Sequence, residues 1–284
     1  MTEQAAPAPP TAADLHAKPR PWRDLGLRGA SAVILIPLAV SGIWQGGQAW
    51  TALVGLAVVL LTWEWAGLYG QSVWKGSGIL LPSGALGVVL LTALLSPLGG
   101  LGLLIATTGL LLFLGRRGDI WPAMGLFYIG LTGFSLIMLR DDAIAGWGNT
   151  IFVVLIIWAS DTGAYIAGRA LGGPKLAPAI SPGKTWSGAV GGLAAAMLIG
   201  MATAEILAPG GASRAAAIAA MLGILSQAGD LLESAIKRRF GVKDSSGLIP
   251  GHGGVFDRLD GVMAAAPLAT ALALLAGRGL PLWQ

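Results

Sequence analysis

Nine mostly apolar stretches, each about as long as a bilayer crossing, constrain this chain more than any other feature. They lie near 27–46, 49–70, 77–97, 99–115, 121–139, 148–170, 186–208, 213–229 and 261–279. A helix crosses the hydrocarbon core with about 20 such residues. In lipid, every backbone N–H and C=O must pair inside the segment or within a closed barrel. Runs of this length exceed barrel strands, so the expected fold is all-α: a polytopic membrane bundle of about nine transmembrane helices. The composition agrees, with 55% hydrophobic and 11% charged residues in 284 and a mean hydropathy of +0.73. Soluble domains carry roughly 25% charged residues. The third and fourth stretches are parted only by Pro97-Leu98-Gly99-Gly100.

The organisation follows from where polar residues gather. Residues 1–26, rich in Ala and Pro without apolar period, read as a disordered cytosolic tail. Residues 27–140 supply N-terminal helices, and 141–284 a C-terminal region whose polar loops face the cytosol. The first apolar run starts too late for a cleavable signal peptide and is followed by many more. With the N-terminus in the cytosol, only Arg140, Arg214 and Arg278 of the 18 lysines and arginines fall outside. That bias points to a multi-pass protein of the inner, cytoplasmic membrane. A pI near 9.7 does not indicate nucleic acid, because the cations border apolar spans. Membrane lipids and anionic substrates explain them instead. The absence of cysteine excludes disulfides and thiolate chemistry. The 11 tryptophans are expected at the membrane interfaces.

Two constellations carry chemistry. The first runs from Asp230 to Asp260 and holds Glu233, Asp244, Asp257, Lys237, Arg238, Arg239, Lys243, Arg258 and His252. If the eighth span stays helical past Asp230, then Asp230, Ser234 and Lys237 share one face, and Gly241 should end it. Asp257 and Asp260 sit one turn apart, so both can address one cation. Mg²⁺ takes one or two carboxylates and leaves its other positions to water and phosphate oxygens. Gly253 and Gly254 let backbone approach a ligand, and a following helix N-terminus offers free N–H groups. The second constellation is Ser160-Asp161-Thr162-Gly163-Ala164-Tyr165, then Ser181-Pro182-Gly183-Lys184-Thr185 in a loop between spans. An intramembrane carboxylate such as Asp161 is costly and usually functional. Lys184 is not part of a Walker motif, since Pro178 stands where that motif needs glycine, yet it can meet phosphate as a point charge. Glu64, in Trp63-Glu64-Trp65, suits a cavity and an internal pair equally.

Ser234-Ala235-Ile236-Lys237-Arg238, Lys243-Asp244, Pro250, His252-Gly253-Gly254 and Asp257-Arg258-Leu259-Asp260 closely resemble the signature of the phosphatidate cytidylyltransferases. Likeness extends over roughly 150–265, and Gly261 departs from the small hydroxyl residue of many members. The resemblance implies transfer of a cytidylyl group from CTP to phosphatidic acid with release of pyrophosphate. It implies Mg²⁺, with a second, monovalent cation as an open alternative. Metal ligands are then expected at Asp257 and Asp260, joined by Asp230 or Asp161. Lys237, Arg238 and His252 join the two aspartates in catalysis. Ser181, Lys184, Thr185, Ser234, Lys243, Asp244, Gly253, Gly254 and Arg258 are expected to bind substrate. A transporter would gather its charges at the membrane midplane. A CDP-alcohol phosphotransferase would need D-G-x-x-A-R, which Asp260-Gly261-Val262-Met263-Ala264-Ala265 does not continue. Small-residue runs such as 188–192 permit close helix packing, equally at a homodimer contact or inside one bundle.

Overall fold

A computed structural model of the chain describes residues 21–73, 76–115, 119–251 and 253–284. Among the described residues there are nine α-helices: α1 (Pro21–Gln45), α2 (Gly47–Leu68), α3 (Leu80–Leu94), α4 (Pro97–Leu114), α5 (Trp121–Asp141), α6 (Gly146–Leu171), α7 (Trp186–Leu207), α8 (Ala212–Arg239) and α9 (Phe256–Ala276). Seven of them are long and apolar enough to cross a membrane. α3 is shorter, with 15 residues, and reaches about 22 Å at 1.5 Å per residue. It ends where Pro97 opens α4 under a Ser96 cap, the Gly99 N–H donating to Ser96 Oγ at 3.1 Å. Proline at a first helical position costs no hydrogen bond. The short break read from the sequence is therefore a real helix junction.

Successive helices alternate in direction, and the hydrogen bonds at each end show it. At one end the finish of α1, α5 and α9 meets the start of α6. Arg140 donates to the Ile43 carbonyl at 2.7 Å, Gly279 N–H to Asp142 at 2.7 Å, and Leu282 N–H to Asn149 at 2.9 Å. The Asp142 carboxyl is held below its ordinary range by the Ala145 N–H above all, with Gly279 and Ile144 adding to it. At the other end α2, α6 and α8 finish and α9 begins, and there the polar residues collect.

α6 and α7 make the closest helix pair. A Cβ at Gly192 would stand 2.7 Å from the Ser160 carbonyl, and one at Gly188 2.9 Å from that of Ala164. Small residues let the two backbones approach, as membrane helices require. Gly188, Gly191 and Gly192 of the 188–192 run are thus spent inside the bundle.

α8 runs on to Arg239 as the spacing of its polar residues anticipates, with Phe240 capping it and Gly241 at φ 71° just beyond. Two differences from the sequence reading matter. α9 begins at Phe256 rather than near 261, so Asp257 and Asp260 occupy its first two turns. The 175–185 segment is not an open loop: β1 (Lys175–Ala177) and β2 (Ser181–Thr185) pair antiparallel, with Lys175 opposite Thr185 and Ala177 opposite Ser181. The tryptophans divide as well. Trp50, Trp65 and Trp283 are core residues rather than interfacial anchors. Each spends its indole N–H on a carbonyl, of Leu136, Trp121 and Ala208 respectively.

Candidate active site

The polar end of the bundle encloses a cavity of about 290 Å³ lined by Asp161, Asp230, Glu233, Ser234, Lys237, Asp244, Asp257, Arg258 and Asp260. Three helices build it. α6 brings Asp161, α8 brings Asp230, Glu233, Ser234 and Lys237 on successive turns, and the start of α9 brings Asp257, Arg258 and Asp260. Beneath it the packing is polar and shielded: Gln227 donates to Ser160 at 3.3 Å and to the Ala189 carbonyl at 3.1 Å. α8 can stay helical through so many charges because its carboxylates and cations fall three and four residues apart, where they face one another.

Lys237 is the central cation of this wall. Its ammonium lies 2.5 Å from Glu233 and 2.5 Å from Asp257, with all three side chains nearly excluded from solvent. Glu233 Oε1 has the ion contact but no hydrogen bond of acceptable direction. The attraction is therefore mostly charge on charge, and that oxygen keeps capacity for a further ligand. From the hairpin, Lys184 reaches Asp230 at 2.6 Å. Oxygens of Asp230, Glu233 and Asp260 lie within 4.8 Å of one another. Three hard carboxylate donors at that spacing fit a divalent cation such as Mg²⁺ and exclude nothing about a second one. Asp161 lines the same cavity.

Asp257 is heavily bonded, with four hydrogen bonds. Its Oδ2 accepts from Gly254 N–H at 2.7 Å, Ser245 Oγ at 3.0 Å and Ser245 N–H at 3.1 Å, while Oδ1 accepts from Lys237. It thereby ties the 240–255 loop to α9. Glu64, arriving from α2, ties the same loop from behind. It accepts from Ser246 Oγ at 2.6 Å, Phe256 N–H at 2.7 Å, Val255 N–H at 2.8 Å and Ser245 Oγ at 3.1 Å. The loop has no room at Gly254, where a Cβ would stand 2.5 and 2.7 Å from the Glu64 oxygens. The close approach that this glycine allows is to protein carboxylate.

Other expected residues fall around this centre. Thr185 is buried and caps α7, accepting from Gly188 N–H at 3.1 Å. Ser181 opens β2, half-buried. Arg238 and Lys243 are exposed at the rim, and Arg238 donates to the Val242 carbonyl at 3.3 Å. Arg239 faces away onto the Trp121 ring at 5.5 Å. Gly253 adopts φ 80° beside Asp257. Gly261 packs against the Ser226 hydroxyl, which fills the space a side chain there would take. His252 lies outside the described residues, as do Lys75, Arg116 and Arg117. Sequence reasoning left Glu233 out of the ligand set and gave Glu64 no partner. For Glu233 the signal was present in its i, i+3 spacing from Asp230. For Glu64 it was not, because the donors lie some 180 residues away.

The sequence matches the cytidylyltransferase family over residues 26–276. Among curated relatives, a phosphatidate cytidylyltransferase of Brucella suis biovar 1 is 42% identical over 252 residues, covering 86% of this chain and 92% of its own length. One of Pseudomonas aeruginosa is 40% identical over 268 residues, covering 88% of this chain and 97% of its own.

Proposed function

Since the chain belongs to the cytidylyltransferase family, we propose that it transfers a cytidylyl group from CTP to phosphatidic acid, giving CDP-diacylglycerol and pyrophosphate. The observation that carries this reading is the carboxylate and lysine cavity at one end of an apolar bundle, with Lys184 leaning into it. A lipid substrate presents its phosphate where hydrocarbon meets water, and CTP is a soluble polyanion. Only a site at the membrane face serves both. The positive bias of one set of loops supports a cytosolic position for that face and a cytoplasmic-membrane location for the protein.

The chemistry is a displacement at the α-phosphorus. A phosphate oxygen of phosphatidate forms the new P–O bond while the bond to pyrophosphate breaks. The attacking oxygen is already anionic at neutral pH, so no side chain need take a proton. What the protein supplies is position and charge. Lys184, Arg258, Arg238 and Lys243 are the cations we assign to phosphate oxygens, while Lys237 holds Asp257 and Glu233 in line. Asp230, Asp260 and Glu233, with Asp161 beside them, would hold Mg²⁺. Asp257 Oδ1 has one lone pair beyond its bond to Lys237 and can join them. Bound there, the cation supplies positive charge opposite the polyphosphate oxygens. Carboxylates beyond the one or two that Mg²⁺ takes suit a monovalent partner ion. If two copies associate in the bilayer, Gly188, Gly191 and Gly192 are taken up by α6, while Val190 of the same run stays exposed.

The test is conversion of radiolabelled CTP by the purified protein in detergent with phosphatidate, with and without EDTA. CDP-diacylglycerol and pyrophosphate in equal amounts, abolished by EDTA and restored by Mg²⁺, are expected. No product from phosphatidate, with turnover on another lipid phosphate, would overturn the substrate assignment.

A further inference from the structure

We propose that Glu64 is a positioning residue for this site: it gathers the donors of the 245–256 loop and so fixes the direction in which α9 presents Asp257 and Asp260. The idea rests on the cytidylyl-transfer reading only for its kinetic arm. Glu64 is 1% exposed, far from the signature segment in sequence and on a helix that lends no residue to the cavity wall. A carboxylate so buried is stable only when its oxygens are satisfied. Here Oε1 takes Ser246 Oγ and Val255 N–H, and Oε2 takes Ser245 Oγ and Phe256 N–H. Three acceptor sites are thus filled outright, and the fourth is shared, since the single Ser245 proton serves both Glu64 and Asp257. That leaves Glu64 little free acceptor capacity, so its part is played through the loop.

Val255 and Phe256 carry N–H groups at the start of α9 that no helical carbonyl can reach. An anion set against them also meets the positive end of the helix dipole. Ser245 is shared, since its hydroxyl lies within bonding distance of both Glu64 and Asp257. Trp65, the next residue along α2, packs edge-on against Phe256 at 5.7 Å. Any shift of Glu64 therefore reaches Asp257 through one residue of backbone and one hydroxyl, and Asp260 one turn later.

Glu64→Gln tests this, because its amide group turns a donor toward the loop's donors. In detergent-purified protein, hydrogen–deuterium exchange across 245–256 should quicken while exchange in α6 and α7 stays as in the parent. The Mg²⁺ concentration for half-maximal activity should rise roughly tenfold, the scale of losing an outer-shell partner. A purely structural acid would lower the yield of folded protein without moving that midpoint. Should Glu64→Gln fail to accumulate, Ser246→Ala removes one of the four donors, and both shifts should recur in weaker form. Unchanged exchange in 245–256, or quicker exchange with an unmoved Mg²⁺ midpoint, overturns the proposal. A parent protein that makes no CDP-diacylglycerol refutes the function instead, and the exchange measurement still decides the role of Glu64.

Discussion

Replacing Lys237 with Met tests whether the cavity wall is organised around one buried cation. Methionine keeps most of the stem, so packing is largely preserved and the ammonium alone is lost. Its two partners, Glu233 and Asp257, have side chains only 4% and 6% exposed, and the lysine side chain is 11% exposed. At such burial, removing one member of an ion pair costs about 3–5 kcal/mol, because the partner is left as an uncompensated charge. Two carboxylates are left here, although Asp257 retains its three loop donors. The loss should therefore sit within that range rather than double it. For a chain of this size each kcal/mol moves the melting point by roughly 2–4 °C, giving a drop of roughly 6–20 °C. Tryptophan fluorescence during thermal unfolding in one detergent would read it. Adding Glu233→Gln removes one of the stranded charges and should recover about half of the drop, a coupling that independent sites would not show. A Lys237→Met protein that melts within about 2 °C of the parent refutes the assignment of this lysine as the counterion of the wall.

Two further outcomes follow from the geometry. Lys184→Gln should raise the KM for CTP roughly tenfold at low salt and flatten its dependence on ionic strength. The melting point should barely move, since the Lys184–Asp230 pair is partly solvated, and an unchanged KM would remove Lys184 from the nucleotide site. Gly254→Ala places a methyl group against the Glu64 carboxylate and the Ser245 hydroxyl, both already held by other bonds. Its turnover should fall about 100-fold, the scale of an ångström of misplacement. Gly247→Ala, at a position with open space, should match the parent, and parental turnover by Gly254→Ala would show that this close approach is dispensable.

The helices were legible because lipid imposes a length and a composition on any helix that crosses it. Pro97-Leu98-Gly99-Gly100 marked the α3–α4 junction, while the Ser96 cap that fixes it emerged only in the structure. The site was legible in part. Asp230, Glu233 and Lys237 face one way because a helix forces residues three and four apart together, and that inference needs no tertiary knowledge. The start of α9 was misplaced by about five residues because Phe256-Asp257-Arg258-Leu259-Asp260 looks too polar for a span. Those charges are tolerated because they face other charges rather than lipid. The hairpin was missed for a different reason: Pro178, Pro182 and Gly183 signal a loop, and two short paired strands leave no alternating pattern long enough to notice. Glu64 shows the limit most clearly. An acid between two tryptophans announces that donors must exist, but chain topology alone decides which donors they are.

Charge accounting ties the architecture to the reaction. The cavity presents six carboxylates, Asp161, Asp230, Glu233, Asp244, Asp257 and Asp260, against the cations Lys237 and Arg258, with Lys184 leaning in. Lys237 is spent on Glu233 and Asp257. That excess of acid disfavours a nucleotide triphosphate and a lipid phosphate alike, so Lys184, Arg258 and the rim cations Arg238 and Lys243 would need added positive charge to receive them. Nor are the acids surplus to the fold, because Asp257 and Glu64 bind the loop from its two sides and hold the helix start that aims the remaining carboxylates. The same residues that make the pocket hostile to polyanions make it hospitable to hard cations. A divalent ion held there would supply the positive charge that CTP needs, and we expect the lysine of the hairpin, paired here with Asp230, to turn toward phosphate.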